Sequence, residues 1–471
     1  MNTHPQMSSS AQAPRRVLIS GAGVAGPVLA YWLHRASASA GRPIQTTLVE
    51  RAPNLRTNGQ TIDIRGKARR VIADMGLEAR IRAACTHEEG QHIVDWRTGA
   101  VLGSFGAGAD RGVCDIEILR YKMCKILYEA TRDSTEYVFG DAIKNIEQDP
   151  QLGSGGGGGR EAVVEFESGR RASYDVVVLA DGMTSRPRSL VFPTSSSSAS
   201  DGNDRDAVVR YRSLGFKTAY FAIPYDPQTD GTWSRVCAFP RSRVIWTRPD
   251  ANPADGNPPS LRVFLISRSP QAEALFADYR SLDVVEQKRR WRTLFDGAGW
   301  QTERILDAMD ASTTQTADDG FYMQDIAQIR ASTWHADRVV LVGDAAYCPS
   351  PMSGMGTSCA ITGAYVLANE LAKSEVDWSD SASLRAAFAS YERICRPYIE
   401  EAQDINRFFT HRVTPSSALD LAAFRLAVRA GSWFVNSPTV ARISKALSRG
   451  GGAGKEAEDD KLLKLPAYHH L

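Results

Sequence analysis

Three glycine-bearing stretches, far apart in the chain, hold the residues whose types and spacing imply chemistry. The first is Gly21, Gly23 and Gly26, with Val24 and Ala25 between them and Glu50 and Arg51 further on. Glycines at this spacing permit a tight turn, close approach of a pyrophosphate and close helix packing, and the later carboxylate can bind a ribose hydroxyl. The second is Asp181 and Gly182 with Ser185 and Arg188. The third is Gly343, Asp344, Ala345 and Ala346, followed by Pro351, Gly354, Met355, Gly356 and Thr357. A helix entered through glycines offers unpaired N–H groups and a positive dipole end, which suits an anionic ligand. Asp344 can accept hydrogen bonds from a hydroxylated ligand chain. Each stretch alone is also what an ordinary strand-to-helix turn looks like.

The surrounding pattern decides for the first. Residues 17–20 form an apolar run of buried-strand type, Val28, Leu29, Trp32 and Leu33 give a helix one apolar face, and residues 46–49 read as the next strand. Strand, glycine turn, helix, strand and carboxylate together make a dinucleotide site. Glu50 stands further on than the usual ~20 residues, with residues 36–43 read as an inserted turn. Residues 174–180 and 338–342 are buried strands leading into the other two motifs, and Ala360, Ile361, Ala364, Leu367 and Leu371 recur at helical spacing after the third. In between, the polar stretch 58–66 carries Gln60 and Arg65 and reads as a loop. Residues 117–120 open a helix over 123–127, and Arg120 there has the solvated surface as its commoner fate.

Over residues 208–267 the texture changes to short, alternating, aromatic-rich strands separated by Pro/Gly/Asp turns, the pattern of an antiparallel sheet. Tyr220, Phe221, Trp233, Phe239 and Trp246 could line a pocket for a flat apolar ligand, although such residues are more often plain core. The end of the chain reads as helices, with Leu419, Ala422, Ala423, Leu426, Ala427 and Ala430 marking one apolar face. Runs 155–159 and 195–198 are low-complexity loop expansions.

A chain of 471 residues implies more than one core. Lysine plus arginine (56) nearly balances aspartate plus glutamate (54), without long charged blocks, so nucleic acid is not the expected partner. No apolar run reaches membrane-span length, and residues 1–14 lack the apolar centre of a secretory signal. Seven cysteines without metal spacing point to reduced thiols in a cytoplasmic protein. No metal site is read.

Taken in order, the three motifs resemble those of the single-component FAD-dependent monooxygenases of the para-hydroxybenzoate hydroxylase type. In that family GxGxxG (here Gly21, Gly23, Gly26, with Glu50) binds the ADP part of FAD. A DGxxSxxR motif (Asp181, Gly182, Ser185, Arg188) serves FAD and NADPH, and a GDAAHxxxPxxGxGxN motif (Gly343, Asp344, Ala345, Ala346, Pro351, Gly354, Gly356) binds ribityl and pyrophosphate. The family's helix arginine falls on Arg120. Within it the chain is similar to the flavin-dependent tetracycline destructases, through Gly59, Gln60, Asp63, Ile64, Arg65 and Gly66, through Glu117, Ile118, Leu119 and Arg120, and through Phe321, Tyr322, Tyr347 and Cys348. Lys464, Leu465, Pro466, Ala467 and Tyr468 extend the likeness. Tyr347, Met355 and Ser358 depart from His, Gln and Asn in many members, at positions the resemblance sets near the isoalloxazine.

The resemblance implies an α/β (α+β mixed) fold. Residues 14–86, 112–192 and 318–398 would form a Rossmann-like FAD-binding domain, 87–111 and 205–317 a substrate-binding antiparallel sheet, and 399–471 C-terminal helices and tail after a disordered 1–13. It implies FAD as cofactor, NADPH (or NADH) as transient reductant, and insertion of one oxygen atom from dioxygen through a flavin 4a-hydroperoxide. The substrate would be an aromatic, phenolic or polyketide-like, even tetracycline-like, small molecule held against the sheet, with Pro351 also near it. No side chain is assigned as catalytic, since the flavin carries the chemistry. A monomer or weak dimer is expected. Three alternatives stay open: a flavin halogenase, whose WxWxIP signature is missing around Trp233 and Trp246; a dehydrogenase using the first motif alone; and a flavoprotein that sequesters its ligand without turnover.

Overall fold

The computed structural model describes residues 13–40, 43–56, 59–86, 88–106, 116–148, 161–194, 207–250, 258–311, 320–405, 414–437 and 465–466. The glycine run 155–159, the serine run 195–198 and nearly all of the tail, Lys464, Ala467 and Tyr468 included, lie outside them.

The four apolar runs read as buried strands lie side by side in a six-stranded sheet, in the order His335–Ala336, Val339–Leu341, Val176–Leu179, Arg15–Ser20, Ile44–Glu50 and Glu136–Phe139, whose two edge strands the sequence pattern did not mark. All its pairings are parallel except that of the short edge strand His335–Ala336. Val17, Leu18, Ile19, Val176, Val177 and Val178 are fully buried, because a parallel sheet is covered on both faces. Helix α1 (Ala25–Ala40) packs along helix α2 (Gly356–Ala372), whose side chains are buried from Ser358 to Ala372. An apolar surface on all sides marks α2 as a core helix. Helix α3 (Ser381–Gln403) packs on α2 and runs through the expected boundary at 398/399.

The second sheet has seven strands in the order Tyr322–Ala331, Val209–Pro224, Ser260–Ser267, Arg243–Asp250, Ser234–Phe239, Gly90–Val94 and Val101–Gly106. Tyr322–Ala331 was expected in the dinucleotide domain; it instead pairs antiparallel with Val209–Pro224. Only the pairing of Ser234–Phe239 with Gly90–Val94 is parallel. One face is covered by three helices that the sequence reading left unassigned, Pro270–Leu275, Val284–Phe295 and Thr302–Ala311. Two of them begin at side-chain caps, Ser269 accepting from Ala272 N and Asp283 from Glu286 N. Part of the stretch 58–66 is also more than a loop, since Thr61–Asp63 pairs antiparallel with Glu117–Leu119.

Helix α4 (Ala418–Asn436) starts in a capping box of Ser417 and Asp420 and lies on the other face of this sheet. Its buried side is Leu421, Phe424 and Val428, against Ile93, Val236, Val244 and Trp246. The face expected from spacing is the outer one, with Leu419 83% and Leu426 71% exposed. Apolar residues lie nearly all round α4, so periodicity alone does not choose a side. Gly103 permits the docking: a Cβ there would come 2.8 Å from Val428 Cγ1. Among the described residues, no helix is long and apolar enough to cross a membrane.

Candidate active site

The three motifs leave the carboxyl ends of three neighbouring strands, Arg15–Ser20, Val176–Leu179 and Val339–Leu341, where ligands bind in open α/β sheets. They touch one another. A Cβ on Gly21 would stand 2.7 Å from Ala180 O, and one on Gly26 2.2 Å from Gly21 O. Gly343 (φ 66°) allows the third motif to meet the first, its hypothetical Cβ lying 3.2 Å from the Cβ of Ala25. Arg188, 5% exposed, donates to Ala345 O at 2.8 Å and to Met183 O at 3.1 Å. It therefore braces the second motif to the third through backbone carbonyls, and these bonds occupy a residue expected to serve the cofactor.

Glu50 ends its strand with Oε2 accepting from Ala22 N and Oε1 from Ala52 N, both at 3.0 Å, which fixes the carboxylate beside the first turn. Arg51 is exposed just beyond it. Arg120 opens the helix Arg120–Thr131 and is exposed, yet a Cβ on Gly23 would lie only 3.6 Å from its Nη2. Among the described residues it makes no ion pair. Although the side chain is exposed to solvent, the protein packed around it works against its charge, and the Cys124, Tyr322, Asp344 and Glu50 side chains outweigh this and hold its pKa above the usual value. Burial likewise raises the Asp344 carboxyl against the pull of Arg120, and pushes Asp181 up to about 6. Asp181 Oδ1 is buried without a hydrogen-bond partner, the kind of orphan a bound ligand satisfies.

Around the third motif, α2 has no side-chain cap at its N-terminus, leaving the N–H groups of its first turn for a ligand. Gly354 is left-handed (φ 65°) and its open side faces Asp63 and Arg65, which pair at 2.6 Å. Gly356 faces Asp344. Thr357 and Met355 are half-buried beside it, while Pro351 is exposed and Gly182 (φ 87°) open. Ser358 accepts from Arg65 N at 2.9 Å and so anchors the Gln60–Arg65 segment. Tyr347 turns away from the turn into the core; its hydroxyl bonds Tyr391 Oη at 3.0 Å and fills the space above Gly363. Of the three departures, only Met355 and Ser358 border the site.

The second sheet closes the opposite side. Tyr220, Phe264 and Trp246 stand opposite one another in register on adjacent strands and share a face with Tyr322. Tyr220 stacks on Tyr322 at 4.7 Å and Trp246 on Phe264 at 5.2 Å. Tyr322 Oη donates to Gln60 Oε1, so this face looks onto the dinucleotide domain. Strand alternation turns Phe221 and Phe239 to the other face, into the closed core with Trp291 and Phe295. Trp233 leaves the wall too, stacked on His92 at 4.2 Å and bonded to Glu89. Phe264 and Tyr322 were not among the expected substrate residues, although the same two-residue period that places Tyr220 and Trp246 would have found Phe264.

Buried ions lock the sheet to the other domain. Arg248 contacts Glu117 and Asp250 meets Lys122 at 3.1 Å across that boundary, while two bonds of 2.9 Å tie Arg248 to Glu88 on the sheet's own side. Burial, offset by Arg248 and reinforced by Glu88 and Asp63, pushes Glu117 up to about 7.

The partnerless Asp181 Oδ1, the open side of Gly182, exposed Arg120 beside Gly23 and the uncapped helix start fit FAD. The comparisons agree. The family model described as FAD binding domain matches residues 15–405. The flavin-dependent monooxygenase eupH of Phoma sp is 32% identical over 97% of this chain and 98% of its own. The FAD-dependent monooxygenase asL4 of Sarocladium schorii is 30% identical, over 83% and 85%. The crystal structure of tetracycline destructase Tet(51) superposes with a TM-score of 0.67 and 27% identity, over 97% of this chain and 99% of that one.

Proposed function

The chain belongs to the FAD binding domain family and is a flavin-dependent monooxygenase, and on that premise we propose that it oxygenates a flat phenolic or polyketide-like molecule held against the Tyr220, Trp246, Phe264 and Tyr322 wall. The observation that carries the reading is the Tyr322–Gln60 bond, which sets that wall against the segment leading into the flavin-binding turns. When bound, FAD supplies hydride acceptance from NAD(P)H and the activation of dioxygen.

The chain's own residues do the rest. Gly21, Gly23 and Gly26 let the backbone approach the pyrophosphate, Glu50 meets the adenosine ribose, and Arg120 neutralises phosphate charge. Asp181 and Asp344 accept from the cofactor's hydroxyls. The N-terminus of α2 stabilises negative charge on the ring. The aromatic wall stacks the substrate, and α4, docked on the same sheet face, limits water at that end. The likeness to a tetracycline destructase supports a fused-ring phenol or enol as substrate, and a monomer or weak dimer accords with one chain holding all the named residues.

The test is mass spectrometry of products from phenolic polyketides and tetracyclines, incubated with the FAD-loaded protein, NADPH and ¹⁸O₂. One labelled oxygen atom in a product supports the reading. Tight binding of these compounds with no labelled product would replace it with a sequestering flavoprotein.

A further inference from the structure

The wall carries a cation that the reaction described above does not use. Arg262 lies on Ser260–Ser267, two residues before Phe264 and therefore on the same sheet face. Its cross-strand partner in register is Arg248, and like charges directly opposite destabilise a sheet unless something compensates them. Arg248 is compensated by Glu88 and Glu117. Arg262 is not: among the described residues its side chain makes no hydrogen bond and no ion pair, and its Nε is buried without a partner. Its guanidinium leans over the ring of Tyr121 at 5.8 Å and acts electrostatically on the Tyr322 hydroxyl. The side chain thus points across to the dinucleotide domain, beside the aromatic wall, and is only half-buried.

We propose that Arg262 is a specificity-determining residue that pairs with an anionic oxygen, a carboxylate or an ionised enol or phenol, on the flat substrate stacked against Tyr220, Trp246, Phe264 and Tyr322. A half-buried guanidinium whose Nε donor is buried without a partner is relieved by an anion presented in its plane. Among the described residues of this face and those facing it, Arg262 can receive one, because Arg248 is already held by two carboxylates and Lys122 by Asp250. The proposal rests on the aromatic-cavity reading above.

A matched pair of tricyclic probes tests it: anthraquinone-2-carboxylate and anthraquinone-2-carboxamide, titrated calorimetrically into FAD-loaded wild type and the variants R262Q and R262K. A charge-assisted hydrogen bond predicts that wild type prefers the acid by roughly tenfold or more. R262Q should abolish that preference while changing amide affinity less than about twofold, and R262K should keep part of it. Flavin content and melting temperature, measured on the same samples, should be unchanged. An acid preference surviving in R262Q, or absent from wild type while both probes bind, would overturn the role of Arg262 alone. If neither probe binds the FAD-loaded protein, the cavity reading fails and this proposal falls with it.

Discussion

Arg188 and Ala345, 157 residues apart, are joined by a buried 2.8 Å hydrogen bond from guanidinium to carbonyl. With the second bond to Met183 O, one side chain holds two cofactor turns in fixed relation. R188M should leave two carbonyls unsatisfied and cost about 2–4 kcal/mol of stability. Flavin occupancy should fall with it. Absorbance at 450 nm relative to 280 nm and a denaturant melt check both; wild-type values in both would show that the brace is dispensable.

Gly363 and Tyr347 form a second pair, this one steric. A Cβ on Gly363 would lie 2.0 Å from Tyr347 Oη and 3.1 Å from its Cζ, and the ring is 1% exposed, with no room to retreat. G363A should therefore destabilise by about 1–3 kcal/mol through overpacking, although alanine is normally the better helix residue. Adding Y347F removes the nearest atom, so the double variant should recover at least half the loss in a chemical-denaturation cycle.

These two pairs mark where sequence reading stops. The four inner strands of the six-stranded sheet and all three turns were legible, because parallel strands buried on both faces leave unbroken apolar runs such as Val17, Leu18 and Ile19 and because glycine spacing has a direct steric meaning; the short edge strands His335–Ala336 and Glu136–Phe139 leave no such run. The side taken by a residue in the second sheet was not: Phe221 and Phe239 look like Tyr220 and Trp246 in composition, and register alone separates them. Nor was the inner face of α4, where Leu421, Phe424 and Val428 compete with Leu419 and Leu426 on equal terms. Long-range polar bonds such as Arg188 to Ala345 leave no local pattern at all.

Glu117 links stability to pH. Its carboxyl sits at about 7 in the folded protein against an ordinary 4.5, so the folded state binds the extra proton and this group's stabilisation is full below pH 4.5 and lost as pH rises through 7. E117Q removes the titration. Relative to wild type it should be more favourable at pH 7.5 than at pH 5 by about 1–2 kcal/mol. Urea melts of both proteins at the two pH values give that difference, and a difference of opposite sign would contradict the assignment.

The two faces of the second sheet should respond differently to truncation. Phe221 is core, so F221A should cost about 3–5 kcal/mol of stability with KM little changed once the protein is folded. W246A, on the wall, should instead raise KM and increase NADPH consumed per product formed, because the substrate no longer excludes water well, while melting changes less. The reverse assignment of effects would place the substrate on the wrong side of the sheet.

The most direct measurement is a crystal structure of the protein with FAD. The account predicts the pyrophosphate against Gly21, Gly23 and Gly26 near Arg120, the ribityl chain near Asp344, and the ring at Gly354 and Gly356 facing Tyr322 and Trp246. A ring turned away from that sheet, or a pyrophosphate not seated on the first turn, would contradict it.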